Sequence, residues 1–316
     1  MRHTSIIVAI GLALAAALST TLPAQAQLQH TFVSSQGLDT NNCSLATPCR
    51  HLQAALAATT AGGEIAILDS AGYNGGTQVT ISQAVSIVNP GGFEAELAPP
   101  SGGPAIFINA GPSDAVSLRG LSIDGGGVAF TTGIQFSTGQ SLTIENCVIR
   151  HVTGIGIDFE PNASSNLSVS NTLVADNGAE GIYVAPASAV VTAVFNRVEA
   201  NNNAAGISMS SGPGMVRATV SESVATGNSV YGFASVTVGL SSSTTLVLFH
   251  SVAANNGTGL YAQGTNAVIR SAQSMVTGNP TAGWSAMLSG VVQSYGDNYI
   301  DDNGTSTGTL VPYTTR

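Results

Sequence analysis

The fold is decided by a short stretch, Asn177-Gly178-Ala179-Glu180-Gly181-Ile182-Tyr183-Val184, which returns in altered form along the last two-thirds of the chain. Its constant part is a glycine followed by a large apolar residue, and this pair recurs at a nearly constant spacing. The pairs are Gly133-Ile134, Gly156-Ile157, Gly181-Ile182, Gly206-Ile207, Gly232-Phe233, Gly259-Leu260 and Gly283-Trp284. A repeat period of roughly 25 residues indicates a solenoid, in which each repeat forms one turn of the chain and stacks on the next.

The residues that follow each repeat glycine alternate in polarity, which is the pattern of a β-strand with one buried face. The first and third residues are mostly apolar, and we expect them to point inward. The second residue is polar or mixed and is expected to point outward; this row comprises Gln135, Asp158, Tyr183, Ser208, Ala234 and Tyr261. A second inward row is expected twelve residues before the glycine, formed by Ile144, Val169, Val194, Val220 and Val247.

An asparagine stands four residues before each of the last five glycines. These residues are Asn177, Asn202, Asn228, Asn255 and Asn279. If the repeats stack in register, the amides form a ladder in which each side chain bonds to the next. A unit of about 25 residues with several short strands is typical of one coil of a parallel β-helix, whose coils stack about 4.8 Å apart. The sequence therefore predicts an all-β solenoid, with the repeats in residues 105–303.

Residues 27–104 have a different pattern and are predicted to form an N-terminal cap and the first coils. The segment Pro48–Ala58 has good helix formers with apolar residues on one face, and a helix there would cover the end of the stack. Residues 304–316 are assigned to a C-terminal cap or tail, so that residues 27–316 form one domain.

Residues 1–26 are interpreted as a secretory signal. A short polar start precedes an apolar run from Ile6 to Leu18, and Ala24-Gln25-Ala26 resembles a cleavage site. The apolar run is shorter than the roughly 20 residues that a membrane span needs. We expect a mature chain of 316 − 26 = 290 residues that is secreted or periplasmic and has no membrane span.

Charge is sparse and acidic. All eight basic residues are arginines, and after signal cleavage seven of them face seventeen acids, a net charge of 7 − 17 = −10. Nucleic-acid binding needs clustered lysines and arginines, so it is not expected.

The cysteines agree with export. Cys43 and Cys49 lie six residues apart and would close a small disulfide ring in an oxidising compartment, with two free thiols as the alternative. Cys147 lies inside a repeat, where a small apolar side chain suits a stacked interior.

The front segment resembles the N-terminal signature of the pectin-lyase-like superfamily. The matching features are the helix of Pro48–Ala58, then Gly62-Gly63-Glu64-Ile65, Leu68-Asp69, Gly72-Tyr73 and Val79-Thr80-Ile81. The repeats from Ile134 to Trp284 are similar to the right-handed β-helix repeat of that superfamily. The resemblance implies a right-handed, single-stranded parallel β-helix. It implies no single activity, because the superfamily includes lyases, hydrolases, esterases, epimerases and adhesins.

The enzyme motifs of that superfamily are incomplete in this chain. Asn171-Thr172 is followed by Leu173 where the resemblance to polygalacturonases requires an aspartate. Asp301-Asp302 is present, but the His-Gly and Arg-x-Lys motifs that should follow it are missing. In pectate lyases calcium acts with a cationic base, and their Trp-Ile-Asp-His-type stretch is absent, since Trp284 is followed by Ser285. No metal site is predicted, and calcium is expected only if the protein is a lyase.

Two groups of residues are weak candidates for function. His151 and Asp176 both lie five residues before a repeat glycine, so they should be neighbours on successive coils, with Arg150 beside them. A His–Asp pair can perform acid–base catalysis. On the outward row, Asp158, Tyr183 and Tyr261 are candidates for binding a sugar, since tyrosine faces stack on sugar rings. The alternative for both groups is solvated surface residues.

These observations favour an exported β-helix protein that binds a polysaccharide or has a structural role, without a demonstrable catalytic signature. A polysaccharide lyase or glycoside hydrolase that uses His151, Asp158 and Asp176 is the first alternative. A surface adhesin is the second.

Overall fold

The computed structural model describes residues 27–239 and 241–314. The elements in chain order are β1 (Leu28–Val33), α1 (Leu52–Ala58), β2 (Thr59–Ile67), β3 (Ala71–Gly72), β4 (Val79–Ile81), β5 (Val85–Val88), β6 (Ala95–Leu97), β7 (Pro104–Asn109), β8 (Ala115–Arg119), β9 (Leu121–Asp124), β10 (Thr132–Thr138), β11 (Ser141–Glu145), β12 (Val148–Arg150), β13 (Ile157–Phe159), β14 (Ser165–Ala175), β15 (Ile182–Val184), β16 (Val190–Asn201), β17 (Ala205–Ser211), β18 (Met215–Ser221), β19 (Val224–Thr226), β20 (Tyr231–Thr237), β21 (Ser243–Phe249), β22 (Val252–Ala254), β23 (Thr258–Gln263), β24 (Ala267–Ala272), β25 (Met275–Thr277), β26 (Ala282–Met287), β27 (Val291–Ser294), β28 (Tyr299–Asp301) and β29 (Leu310–Pro312). The signal peptide predicted for residues 1–26 lies outside the described residues. Within the described part, no helix is long and apolar enough to span a membrane.

The strands form two parallel sheets that wind around a common core. The smaller sheet has nine strands in the order β26-β23-β20-β17-β15-β13-β10-β7-β4, and each of them belongs to a different coil. The larger sheet contains the other twenty strands, and most coils contribute two segments to it. Nine coils at about 4.8 Å each give a rod about 40 Å long. The predicted parallel β-helix is confirmed.

The repeat glycines begin the strands of the smaller sheet and align in a single column. Ile157 is in register with Ile134 on one side and with Ile182 on the other, and all three are at most 1% exposed. Glycine is needed because neighbouring coils approach closely at this point. A Cβ on Gly156 would lie only 2.6 Å from the carbonyl oxygen of Gly181.

From the coil of β11 and β12 onward, each coil bends twice within its contribution to the larger sheet, and both bends use a residue with positive φ. The second bend, next to the smaller sheet, falls at His151, Asp176, Asn202, Gly227, Asn255, Gly278 and Asp302. Asparagine, aspartate and glycine adopt this left-handed conformation more readily than other residues. The backbone conformation of the second bend therefore favours these residue types, independently of any ligand.

The buried asparagine ladder lies one residue after the second bend. Its members are Asn177, Asn203, Asn228, Asn256, Asn279 and Asn303. In each step the side-chain amide donates to the next asparagine's Oδ1, for example Asn228 Nδ2 to Asn256 Oδ1 at 2.8 Å. Asn177, Asn228 and Asn279 were correctly predicted as members. Asn202 and Asn255 were predicted wrongly, because they occupy the bend and their neighbours Asn203 and Asn256 point into the core.

A difference in turn length explains these errors. Three residues separate the ladder asparagine from the glycine in the coils of Asn177, Asn228 and Asn279, but only two do so after Asn203 and Asn256. Counting back a fixed number from the glycine therefore arrives one residue too early in those two coils.

The same shift affects the second inward row. Val194 and Val247 were predicted to be buried but point outward, and Val194 is 45% exposed. Phe195 and Leu248 take the inward positions, in register with Val169 and Val220 respectively.

The N-terminal cap combines the helix with a disulfide-bonded loop. Cys43 and Cys49 form a disulfide. The helix begins at Leu52 rather than at Pro48, because Cys49 forms a parallel bridge with Val33. Asp39 Oδ1 then accepts hydrogen bonds from the next two backbone N–H groups, which holds the segment extended.

Candidate functional site

The outward row of the smaller sheet brings together polar and aromatic side chains from consecutive coils. Asp158 lies between Gln135 and Tyr183 in strand register, and Ser208 follows Tyr183. The row is less open than the sequence suggests, since Asp158 is only 6% exposed and Ser208 only 7%. The half-buried Gln135 and Tyr183 flank Asp158 on the two adjacent coils.

Asp158 is a buried carboxyl group with few partners. Gln135 Nε2 donates a hydrogen bond to Oδ2 at 3.3 Å, and Oδ1 has no hydrogen-bond partner among the described residues. Burial, with the nearby charges of Glu160 and Glu180, raises the pKa of Asp158 to about 7. The single bond from Gln135 opposes this rise only weakly. Asp158 is therefore a carboxyl that can carry a proton near neutral pH.

Tyrosines occupy the same face further along the rod. Burial raises the pKa of Tyr183, while a hydrogen bond with Ser210 opposes the rise. Tyr231 and Tyr261 stack with ring centroids 4.1 Å apart and an interplanar angle of 15°. The hydroxyl of Tyr261 also contacts Gln263 Oε1. Burial and the hydrogen bond with Tyr261 raise the pKa of Tyr231 to about 12.

We call this surface, comprising Asp158, Tyr183, Ser208, Tyr231 and Tyr261, the tyrosine face. Sequence reasoning missed Tyr231, which precedes Gly232 and was therefore outside the alternating row. The residue directly before a repeat glycine is also in strand register with its counterpart on the next coil, as Tyr231 is with Thr258. An aromatic residue at this position is therefore the sequence signal that would have identified Tyr231.

The predicted His151–Asp176 group lies elsewhere, at the second bend. His151 Nδ1 is 3.1 Å from Asp124 Oδ1, and Arg150 Nε donates to Asp124 Oδ2 at 2.9 Å. Asp176 instead accepts a hydrogen bond from Asn202 Nδ2 at 3.1 Å. Asp124, which sequence reasoning missed, is thus the residue that orients His151. Its signal is its position one coil before Arg150, with which it is in strand register.

The electrostatics of this bend are those of an ion-paired surface cluster. Partial burial alone would raise the pKa of Asp124, but the N–H of Gly126, His151 and Arg150 together lower it. His151 and Asp176 border the same open cavity of about 430 Å³, and Asp158 does not line it. The bend therefore holds an oriented imidazole beside a shallow cavity, separate from the tyrosine face.

The free cysteine, Cys147, is buried in the core. Burial raises the pKa of the Cys147 thiol to about 11, so this cysteine is packed as an uncharged core residue. Among residues 27–239 and 241–314, no three histidine, cysteine, aspartate or glutamate side chains are arranged to hold a metal ion.

Comparison with a protein-family model and with solved structures supports the β-helix fold. Residues 69–220 match the family described as "Right handed beta helix region". The chain has the fold of a right-handed parallel β-helix. A search of curated protein sequences finds no match.

Two solved structures are similar to this β-helix. The A-module of mannuronan C-5 epimerase AlgE4 from Azotobacter vinelandii is 13% identical, with a TM-score of 0.45, and the match covers 80% of this chain and 89% of that one. Pectate lyase Pel9A is 16% identical, with a TM-score of 0.44, and the match covers 92% of this chain and 78% of that one. Likenesses this distant carry no conclusion about activity.

Proposed function

We propose that this β-helix is an exported polysaccharide-binding protein and that the tyrosine face is its binding surface. The observation that carries the proposal is the alignment of Tyr183, the Tyr231–Tyr261 stack and Ser208 on consecutive coils of one face. Aromatic rings pack against the apolar faces of pyranose rings, and phenol and serine hydroxyls bond to sugar hydroxyls. Coils that repeat about every 4.8 Å present such groups at regular intervals to an extended polymer.

The test is binding to a panel of soluble polysaccharides, measured by affinity electrophoresis and calorimetry. Tyr183→Ala and Tyr261→Ala should each weaken binding at least fivefold, because each removes one stacking face. Tyr299→Ala is the matched control, since Tyr299 is 74% exposed on the larger sheet. Equal binding by all three variants would refute the proposal.

A polysaccharide lyase or hydrolase remains the second candidate, and one observation favours it. The pKa of Asp158, raised to about 7, is suited to a general acid, and Glu160 supplies a second carboxyl nearby. The His151–Asp124 pair provides a separate oriented base. The assay follows unsaturated product by ultraviolet absorbance and new reducing ends, with and without calcium. Any activity found should be lost in Asp158→Asn if the tyrosine face is catalytic, and in His151→Ala or Asp176→Ala if the bend is.

A further inference from the structure

Tyr231 and Tyr261 lie on neighbouring strands of the smaller sheet, β20 and β23, and their rings are in direct contact. Tyr261 is in strand register with Ala234, and Tyr231 lies 234 − 231 = 3 residues earlier on β20. The methyl side chain of Ala234 leaves space beside the Tyr261 ring, which the Tyr231 ring fills. The ring centroids are 4.1 Å apart, and the planes are inclined by only 15°.

The two rings point the same way in this stack. Burial and then the hydrogen bond with Tyr261 raise the pKa of Tyr231 to about 12, so the two hydroxyls are neighbours. Tyr261 in turn donates its hydroxyl proton to Gln263 Oε1. Nearly parallel rings with their hydroxyls at the same end also bring together the ring carbons next to each hydroxyl. These ortho carbons lie at about the contact distance of 3.5–4.0 Å.

The stack is open to a reagent from solvent. Tyr231 and Tyr261 are both half-buried, so each ring keeps part of its edge at the surface. An electron and a proton can therefore leave either phenol without unfolding of the β-helix, while contact between the coils holds the rings together.

A second pair of tyrosines in contact, Tyr295 and Tyr313, has a different geometry. These rings meet edge-on at 79°, with centroids 5.1 Å apart, so their ortho carbons do not overlap face to face. The guanidinium of Arg270 lies 4.7 Å from the centroid of the Tyr313 ring, and its positive charge opposes loss of an electron from that ring. The two pairs therefore differ in how well they are arranged for radical coupling.

We propose that Tyr231 and Tyr261 form an oxidative cross-linking site, at which hydrogen peroxide, acting through a haem peroxidase, joins the two rings into dityrosine. Each phenol loses one electron and one proton and becomes a phenoxyl radical, with unpaired electron density on its ortho carbons. One carbon–carbon bond forms between the facing ortho carbons, and each of these carbons then passes its hydrogen as a proton to the phenol oxygen. In total the tyrosines lose two electrons and two protons, which reduce the peroxide to two molecules of water.

The product is a covalent link between two successive coils. It closes a loop of 261 − 231 = 30 residues, and by the same reasoning as for a disulfide it restricts the unfolded chain and stabilises the folded one. Unlike the Cys43–Cys49 bond, a carbon–carbon bond is not broken by thiols. The link requires no bound ligand, so this inference is independent of the proposed function.

The experiment treats the purified protein with horseradish peroxidase and hydrogen peroxide and then digests it with trypsin. The chain has no lysine, and Arg217 and Arg270 are consecutive arginines, so one tryptic peptide, residues 218–270, contains both tyrosines and no other. In the treated protein this peptide should be lighter by two hydrogen atoms and should show dityrosine fluorescence. The yield should be constant over a tenfold range of protein concentration, and in dithiothreitol the cross-linked protein should unfold at a higher urea concentration than the untreated one.

Conservative variants test the assignment. Tyr231→Phe and Tyr261→Phe keep both rings in the stack but remove one phenol, so each should lower the dityrosine yield of the peptide at least tenfold. Tyr313→Phe is the matched control, since it removes a phenol from the edge-on pair, and its yield in residues 218–270 should equal that of the natural protein. Circular dichroism verifies that the variants are folded.

Three results would overturn the proposal. The first is an unchanged mass of the peptide under conditions in which N-acetyltyrosine is fully coupled. The second is dityrosine in residues 218–270 that persists in Tyr231→Phe or Tyr261→Phe. The third is dityrosine found only between molecules, with a yield that falls on dilution, which would show coupling through an exposed ring such as Tyr299, 74% exposed.

Discussion

Replacing Asp158 by asparagine should change how the stability of the β-helix depends on pH. Folding raises the pKa of this carboxyl from 3.8 to about 7, mainly through burial. Between about pH 4 and pH 7 the folded chain therefore keeps a proton that the unfolded chain loses. The free energy of unfolding falls as the pH rises through this window, and it is constant with respect to this group above pH 7.

The magnitude follows from the size of the shift. About three pKa units at 1.36 kcal/mol each give about 4 kcal/mol as an upper value. Asp158 is 6% exposed, so solvent screening reduces this figure little. Asp158→Asn removes the titration. The free energy of unfolding of the variant, relative to the natural protein, should therefore increase by up to about 4 kcal/mol between pH 4 and pH 8.

Urea unfolding at several pH values measures this difference. Trp284 is the only tryptophan and serves as the fluorescence probe, with circular dichroism as the second signal. Asp176→Asn is the matched control, because it makes the same chemical change on an exposed side chain and leaves the surroundings of Asp158 intact. A relative stability of Asp158→Asn that is the same at pH 4 and pH 8 would refute the idea that burial holds the proton.

Three further predictions concern stability. Asn256→Ala should cost about 2–4 kcal/mol in urea unfolding, because Ala225 O and Asn228 lose their partners, whereas Asn255→Gly at the adjacent bend should be within about 0.5 kcal/mol of neutral. Equal costs for these two variants would contradict the corrected ladder. Gly156→Ala should lower the melting temperature by several degrees, since its Cβ would meet the Gly181 carbonyl oxygen, and an unchanged melting temperature would show that the coils can separate there. Reducing the Cys43–Cys49 bond should cost about 2 kcal/mol for so small a ring, and an unchanged urea midpoint in dithiothreitol would argue against a structural role.

The architecture could be predicted from the sequence because the glycine-apolar pairs occupy equivalent positions in successive coils. Each pair is constrained twice, by the close approach of the coils at the glycine and by burial of the next side chain. Both constraints act within two residues, so changes in turn length elsewhere do not disturb them. Ile157 and Ile182 are accordingly predicted in register and found so.

Positions further from the glycine were less predictable. A run such as Asn201-Asn202-Asn203 offers three candidates for one ladder position, and composition alone does not choose among them. The choice depends on which residue takes the left-handed bend, and the structure assigns that conformation to Asn202.

The candidate sites show the same limit. Asp158 was chosen correctly as a member of the outward row, but its burial depends on neighbouring coils and was not visible from alternation. The outward side of the larger sheet was predicted incorrectly at β21, because Val247 was assigned to the inward row that Leu248 occupies. That one-residue error hid the fact that Arg270 and Val247 share a column on the outside.

The two turn lengths alternate from the coil of Asn177 to the coil of Asn279, and this bears on how the protein could be lengthened or shortened. Turns with three residues follow Asn177, Asn228 and Asn279, and each of these lies between turns of two residues or at the end of the series. The spacing from Gly181 to Gly232 is 232 − 181 = 51, and that from Gly232 to Gly283 is again 283 − 232 = 51. Two consecutive coils therefore keep a constant total length here, although the single coils differ, with 25 and 26 residues in the first pair and 27 and 24 in the second. Lengthening or shortening the protein by one such pair should preserve every junction, whereas removal of a single coil would join two turns of the same kind.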